Sequence, residues 1–198
     1  MANAVSNTSP LIYLHRLGRF QLLPQVFGRV IVPTQASQKL DRGRALGRDV
    51  PQLANLPWLE IRAAVTAHDY PDLGAGETGA LDLARALPDY VVILDDGAAR
   101  KWATRLGIPC VGTVGVLVQA KRLGHLARVT PELDRLARLG FRMSPALRER
   151  ALADSSESCT PSPRSGGTAG GTVAFRKSPS DGNSLFSAPF RDDLRFNV

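Results

Sequence analysis

The 198-residue chain has no apolar run long enough to cross a bilayer. Val91 to Leu94, among its most apolar stretches, falls far short of the ~20 residues a spanning helix needs. Only two cysteines are present, Cys110 and Cys159, far apart and in unlike surroundings, which excludes a zinc pattern and a disulfide framework. Cys110 sits in an apolar run and reads as a packed core residue rather than a reactive thiol. Met1 to Val5 carries no basic residue, and Asn7 and Ser9 interrupt any apolar stretch, so no secretory signal is expected and the cytoplasm is the expected location. There is no Gly-x-Ser-x-Gly elbow to support a Ser-His-Asp triad and no Gly-x-x-x-x-Gly-Lys phosphate loop. The glycines around Gly76 follow no strong strand and so do not make a dinucleotide fingerprint. His15, His68 and His125 are scattered without ligand spacing and read as surface or packing residues.

What is present is a basic body. The net charge is +7, and all of it arises in residues 1–152, where 20 Lys and Arg face 13 Asp and Glu. Such a surface suits a polyanion, because bound phosphates release their counterions, although arginine-rich composition alone gives the same sum. The composition changes after Ala153. Ser155 to Val198 is rich in Ser, Gly, Pro and Thr and has no apolar periodicity, so residues 1–152 are expected to form one domain and 153–198 a disordered or aberrant tail.

Within the body, short apolar strands alternate with amphipathic helices. Strands are expected at Ala2–Ser6, Arg29–Val32, Trp58–Ala63, Tyr90–Leu94 and Pro109–Val111. Helices are expected from Ser9-Pro10 to Gly18, over Phe20–Phe27, Thr34–Arg44, Gly76–Leu87, Ala98–Leu106 and Val114–Leu123, and after Thr130-Pro131 and Ser144-Pro145. Ser9 and Thr130 are read as helix caps, and the continuously apolar Tyr90–Leu94 as a central strand. Strands separated by helices pair in parallel, which gives a three-layer α/β/α sandwich around a central parallel sheet. Ligands of such sheets gather beyond the carboxyl ends of the strands.

Two strand ends carry polar residues of interest. The first exits into Ser6-Asn7-Thr8-Ser9, the fourth into Asp95-Asp96-Gly97. If these strands are neighbours, Asn7, Asp95 and Asp96 meet at one edge, and Glu77 can join them from the start of its helix. Acids gathered so repel one another unless a cation neutralises them, and Mg²⁺ or Mn²⁺ suits an all-oxygen set. Phosphodiester hydrolysis follows, with Asp95, Glu77 and Asn7 as the catalytic set and Asp96 as a further ligand. Each residue also has an ordinary reading: Asp-Asp-Gly as a capped turn, Glu77 as an acid favoured in a first helical turn, Asn7 as an Asx turn. A third reading makes Asp95 the nucleophile of a phosphotransferase.

The ordered series Ser6-Asn7-Thr8-Ser9-Pro10-Leu11-Ile12, Gly76-Glu77, Leu94-Asp95-Asp96 with Arg100 and Ala103, Gly107-Ile108, Val111-Gly112-Thr113, and Ala120-Lys121 with Gly124 resembles the PIN-like prokaryotic family DUF3368. The resemblance implies a PIN fold, a likeness to VapC-type toxins that cut RNA with Mg²⁺ or Mn²⁺ held by acids, a small antitoxin partner and a homodimer. It places Asn7 at the first acidic position, Glu77 at the helix-borne acid, and Asp95 and Asp96 after the fourth strand. Two departures stand out: Asn7 replaces the usual Asp, and Gln38-Lys39 lies where the helix after Pro33 usually carries a glutamate. Both reduce the negative charge available to a cation, which leaves a non-cleaving module that binds RNA or a protein as the alternative.

Overall fold

The computed structural model describes residues 2–64 and 68–157. Five strands form one parallel sheet: β1 (Asn3–Ser6), β2 (Val30–Pro33), β3 (Leu59–Arg62), β4 (Tyr90–Ile93) and β5 (Cys110–Val111), in the order β3-β2-β1-β4-β5. The helices between and after them are α1 (Thr8–Arg16), α2 (Leu22–Val26), α3 (Thr34–Ala45), α4 (Ala75–Ala86), α5 (Gly97–Arg105), α6 (Thr113–Arg122), α7 (Thr130–Arg138) and α8 (Pro145–Asp154).

Alternation along each strand separates two cores. Ala4, Val30, Val32, Val91, Ile93 and Val111 pack with the apolar faces of α1, α2, α3 and α6–α8. Their chain neighbours Val5, Ile31, Val92 and Cys110 face the other way, onto α4 and α5. This is the period-two geometry of a strand covered on both faces. The three-layer α/β/α sandwich expected from the sequence is therefore the fold, and Cys110 is buried in it.

Several boundaries differ from expectation for identifiable reasons. β4 is an interior strand, but the middle position belongs to β1, which pairs with both β2 and β4. Helix α1 begins at Thr8 with Asn7 as its cap, not Ser9. Asn7 is still extended, and its N–H donates to Ile93 O at 3.3 Å, so the strand runs on to the residue where the helix starts. α2 is shorter than Phe20–Phe27, because Phe27 turns extended to lead into β2.

Thr130 lies inside α7 rather than capping it, since its cap comes from elsewhere in the chain. The Glu157 carboxylate accepts from Val129 N (2.6 Å), Thr130 N (2.9 Å) and the Thr130 hydroxyl, and pairs with Lys121 Nζ at 2.6 Å. A helix N-terminus leaves its first N–H groups without intrahelical partners, and an anion there also meets the positive end of the helix dipole. Regular structure thus continues past Leu152: α8 runs to Asp154, and Glu157 clasps α6 to α7. Residues 158–198, which hold Cys159 and most of the expected tail, lie outside the described residues.

Burial of Glu157 opposes its ionisation, but the hydrogen bonds from Lys121, Thr130 and the two backbone N–H groups outweigh it and hold the carboxyl at about 2, below its ordinary 4.5. A carboxyl lowered by folding adds stability above its unfolded value and loses that contribution as pH falls towards its folded value. Glu157→Gln is therefore expected to cost about 1–3 kcal/mol near neutral pH. The difference from wild type should shrink as pH drops from 4.5 towards about 2, which urea unfolding across that range will show.

Candidate functional site at the carboxyl edge of the sheet

The register Ser6↔Ile93 brings the exits of β1 and β4 side by side. Asn7 leaves β1 almost fully buried. Its amide is used at both ends: Oδ1 accepts from Thr8 N at 2.6 Å, and Nδ2 donates to Glu77 Oε1 at 2.8 Å. Glu77 comes from the first turn of α4, and glycines open the path between the two residues. A Cβ on Gly76 would stand 2.9 Å from Asn7 Oδ1, and one on Gly74 would stand 2.6 Å from Glu77 Oε2. The Gly74-Ala75-Gly76-Glu77 sequence thus lets a helix start lie directly against a strand exit, where close approach requires the absence of side chains.

Asp95 leaves β4 on the other side of Asn7. Its carboxylate is gripped by Thr113 at the start of α6, from the backbone N at 2.7 Å and the hydroxyl at 2.6 Å. Gly112 permits this grip, since a Cβ there would lie 3.1 Å from Asp95 Oδ1 and 3.2 Å from Arg100 Nη1. Burial pushes the Asp95 carboxyl above its ordinary value, against the two Thr113 hydrogen bonds and the Arg100 charge, which pull it down. Arg100 Nη1 itself donates to Leu94 O at 3.1 Å and so stays beside the acid. Asp96 turns away: exposed, it caps α5, with Oδ1 accepting from Ala99 N at 2.9 Å.

The four expected site residues make different contacts: Asn7 and Glu77 bond to each other, Asp95 is held by Thr113, and Asp96 caps α5. No group of three or more His, Cys, Asp or Glu residues arranged to hold a metal ion occurs among the described residues. The donor chemistry still suits a hard cation. Glu77 and Asp95 offer carboxylate oxygens, and Mg²⁺ commonly binds through one or two carboxylates while its remaining positions hold water or substrate phosphate. The Asn7 amide weakens that fit, because its N–H₂ already satisfies one Glu77 oxygen that a cation would otherwise attract.

Sequence reasoning gave no role to Thr113 or Arg100, and missed a second polar cluster altogether. Asp82, 4 % exposed, accepts from His68 N (3.2 Å) and the Tyr70 hydroxyl (3.1 Å), and lies 2.7 Å from His68 Nδ1. The available signal was a carboxylate between Leu81 and Leu83 on the inward face of a helix. A buried charge of that kind demands partners.

The sequence profile described as DUF3368, PIN domain, matches residues 3–157, and the chain belongs to that family. No curated protein and no solved structure matches it.

The Gly76 contact is directly testable. Gly76→Ala gains helix propensity of up to ~1 kcal/mol. It must also displace an Asn7 side chain already committed to Thr8 N and Glu77, and a net loss of about 1 kcal/mol is expected in urea unfolding. Gly97→Ala, where a Cβ meets nothing within 4 Å, should leave stability unchanged or slightly raised.

Proposed function

With PIN membership as the premise, we propose that the protein is a Mg²⁺- or Mn²⁺-assisted endoribonuclease that hydrolyses phosphodiester bonds at the edge where β1 and β4 end. The observation that carries this reading is a half-buried Asp95 gripped by Thr113 at the exit of β4, next to the exit of β1 that leads to the Asn7–Glu77 pair, on a body with an excess of positive charge. Asp95 supplies one carboxylate of the proposed set, held at the start of α6. Thr113 fixes its orientation through two hydrogen bonds, and Arg100 limits how far burial lifts it. Glu77, steered by Asn7, supplies the second carboxylate, and Asp96 contributes by setting the start of α5. A divalent ion held by Glu77 and Asp95, with Asn7 Oδ1 as a neutral donor, would neutralise charge developing on the phosphate and acidify a bound water.

The family likeness to VapC-type toxins extends the proposal to a toxin-like role in the cytoplasm, with a small antitoxin protein as inhibitor and a homodimer as the assembled form. Among the described residues no helix is long and apolar enough to cross a membrane. The test is cleavage of a labelled RNA by the full chain with Mg²⁺ or Mn²⁺. Wild type should cut, and Asp95→Ala should lower the rate roughly 100-fold or more, as removal of a carboxylate that holds the ion takes away charge stabilisation of the phosphate. Equal rates would reject the site.

A second reading, a module that binds RNA or a protein without cutting, is favoured by the Asn7–Glu77 hydrogen bond and by Lys39. In that case calorimetric titration of wild type with Mn²⁺ gives no uptake at millimolar metal. Asn7→Asp combined with Lys39→Glu should then create a measurable affinity by restoring two negative charges.

A further inference from the structure

Below the start of α1 a cleft of about 230 Å³ opens between α1 and α3, lined in part by Thr8, Tyr13, Arg16, Lys39 and Arg48. Three cations therefore face one narrow space. Arg16 is tethered there, with Nε donating to Asp49 O at 3.0 Å and lying 3.9 Å from the Asp49 carboxylate, which partly answers its charge. Lys39 and Arg48 are exposed, and neither makes a salt bridge with another described residue. Converging cations that leave their charge unanswered raise the local potential for an anion.

A second, independent observation lies at the upper end of the cleft. Thr8 is only 2 % exposed, and its buried hydroxyl oxygen has no hydrogen-bond partner among the described residues. Buried polar atoms are normally satisfied, and an exception calls for a missing partner. The same hydroxyl neighbours the Asn7–Glu77 pair: a Cβ on Gly76 would stand 3.8 Å from Thr8 Oγ1 and 2.9 Å from Asn7 Oδ1. The cleft thus runs from the proposed reaction edge down between two helices.

We propose that the α1–α3 cleft is the track for a single-stranded RNA backbone, with Lys39 and Arg48 contacting successive phosphates, Arg16 supporting them, and the Thr8 hydroxyl donating to the phosphate nearest the reaction edge. The proposal rests on the ribonuclease reading for the identity of the strand, but not for its binding. Lys39 then has a positive role: in mid-helix on α3, it faces a polyanion instead of a cation. A cleft of about 230 Å³ cannot enclose a duplex, so a single strand is the form proposed to lie along it.

The experiment is fluorescence anisotropy of a labelled, unstructured RNA of about 20 nucleotides with the full chain, in EDTA so that no cleavage intervenes, across a salt series. Lys39→Ala/Arg48→Ala should weaken binding about tenfold or more near 0.1 M salt and reduce the salt slope by about 1.4, roughly 0.7 for each lost phosphate contact. Arg122→Ala/Arg128→Ala removes equal charge from exposed positions outside the cleft and should stay within about twofold of wild type. Lys39→Arg/Arg48→Lys should retain binding, and melting curves for all variants establish that they fold. Equal losses in both charge-removing pairs, an unchanged affinity in the first pair, or equal competition by duplex RNA would overturn the track. Asp95→Asn separates the two claims. If neither wild type nor this variant cuts, yet both bind through the cleft, the nuclease reading fails and the track stands. Cleavage with no dependence of binding on Lys39 and Arg48 reverses that result.

Discussion

Parallel pairing of β1 with β4 is the constraint on which the rest depends. Two segments 87 residues apart in sequence, Asn3 pairing with Tyr90, are locked in one register, and Asn7 N–H extends the ladder one residue past the strand by donating to Ile93 O. Only in that register do Asn7 and Asp95 leave the sheet side by side. A one-residue slip would turn Ala4 and Val5 to the opposite faces and dismantle both cores together. The sheet has little tolerance here because β1 is buried on each face and bonded along each edge.

Much of this was legible in the sequence because the patterns that specify it are local. Each of the five strands was expected within a residue or two of its position, since β-branched runs bounded by turns and amphipathic helices leave few alternatives to a parallel sheet. Asn7, Glu77 and Asp95 were singled out by their places at strand and helix ends. What could not be read was orientation. The sequence Asp95-Asp96 does not say which acid faces inward, and the answer depends on Thr113, which arrives from another helix start. Ser9 looked like the better cap because capping statistics know nothing of Ile93, whose carbonyl keeps Asn7 extended. Thr130 looked like a cap for the same reason: the group that satisfies the start of α7, Glu157, is supplied from beyond a composition break that resembled the end of structure.

The site is built by economies of space more than by accumulation of charge. Glycines at 74, 76 and 112 each stand where a side chain would strike a functional oxygen. They let backbone and carboxylate approach closely. The result is an asymmetric pair of acids. Glu77 is satisfied by a neutral amide, whereas Asp95 is desolvated and held by a hydroxyl and a backbone N–H. Different surroundings let one site assign different tasks to the same chemical group.

The strand order has a bearing on how the chain is made. β1 is made before either of its neighbours, and one of its edges stays open until Tyr90–Ile93 has been synthesised, while β2 can occupy the other edge much sooner. Until β4 emerges the nascent sheet therefore ends in a bare, apolar margin, and in that interval a newly made chain is exposed to sticking to its neighbours.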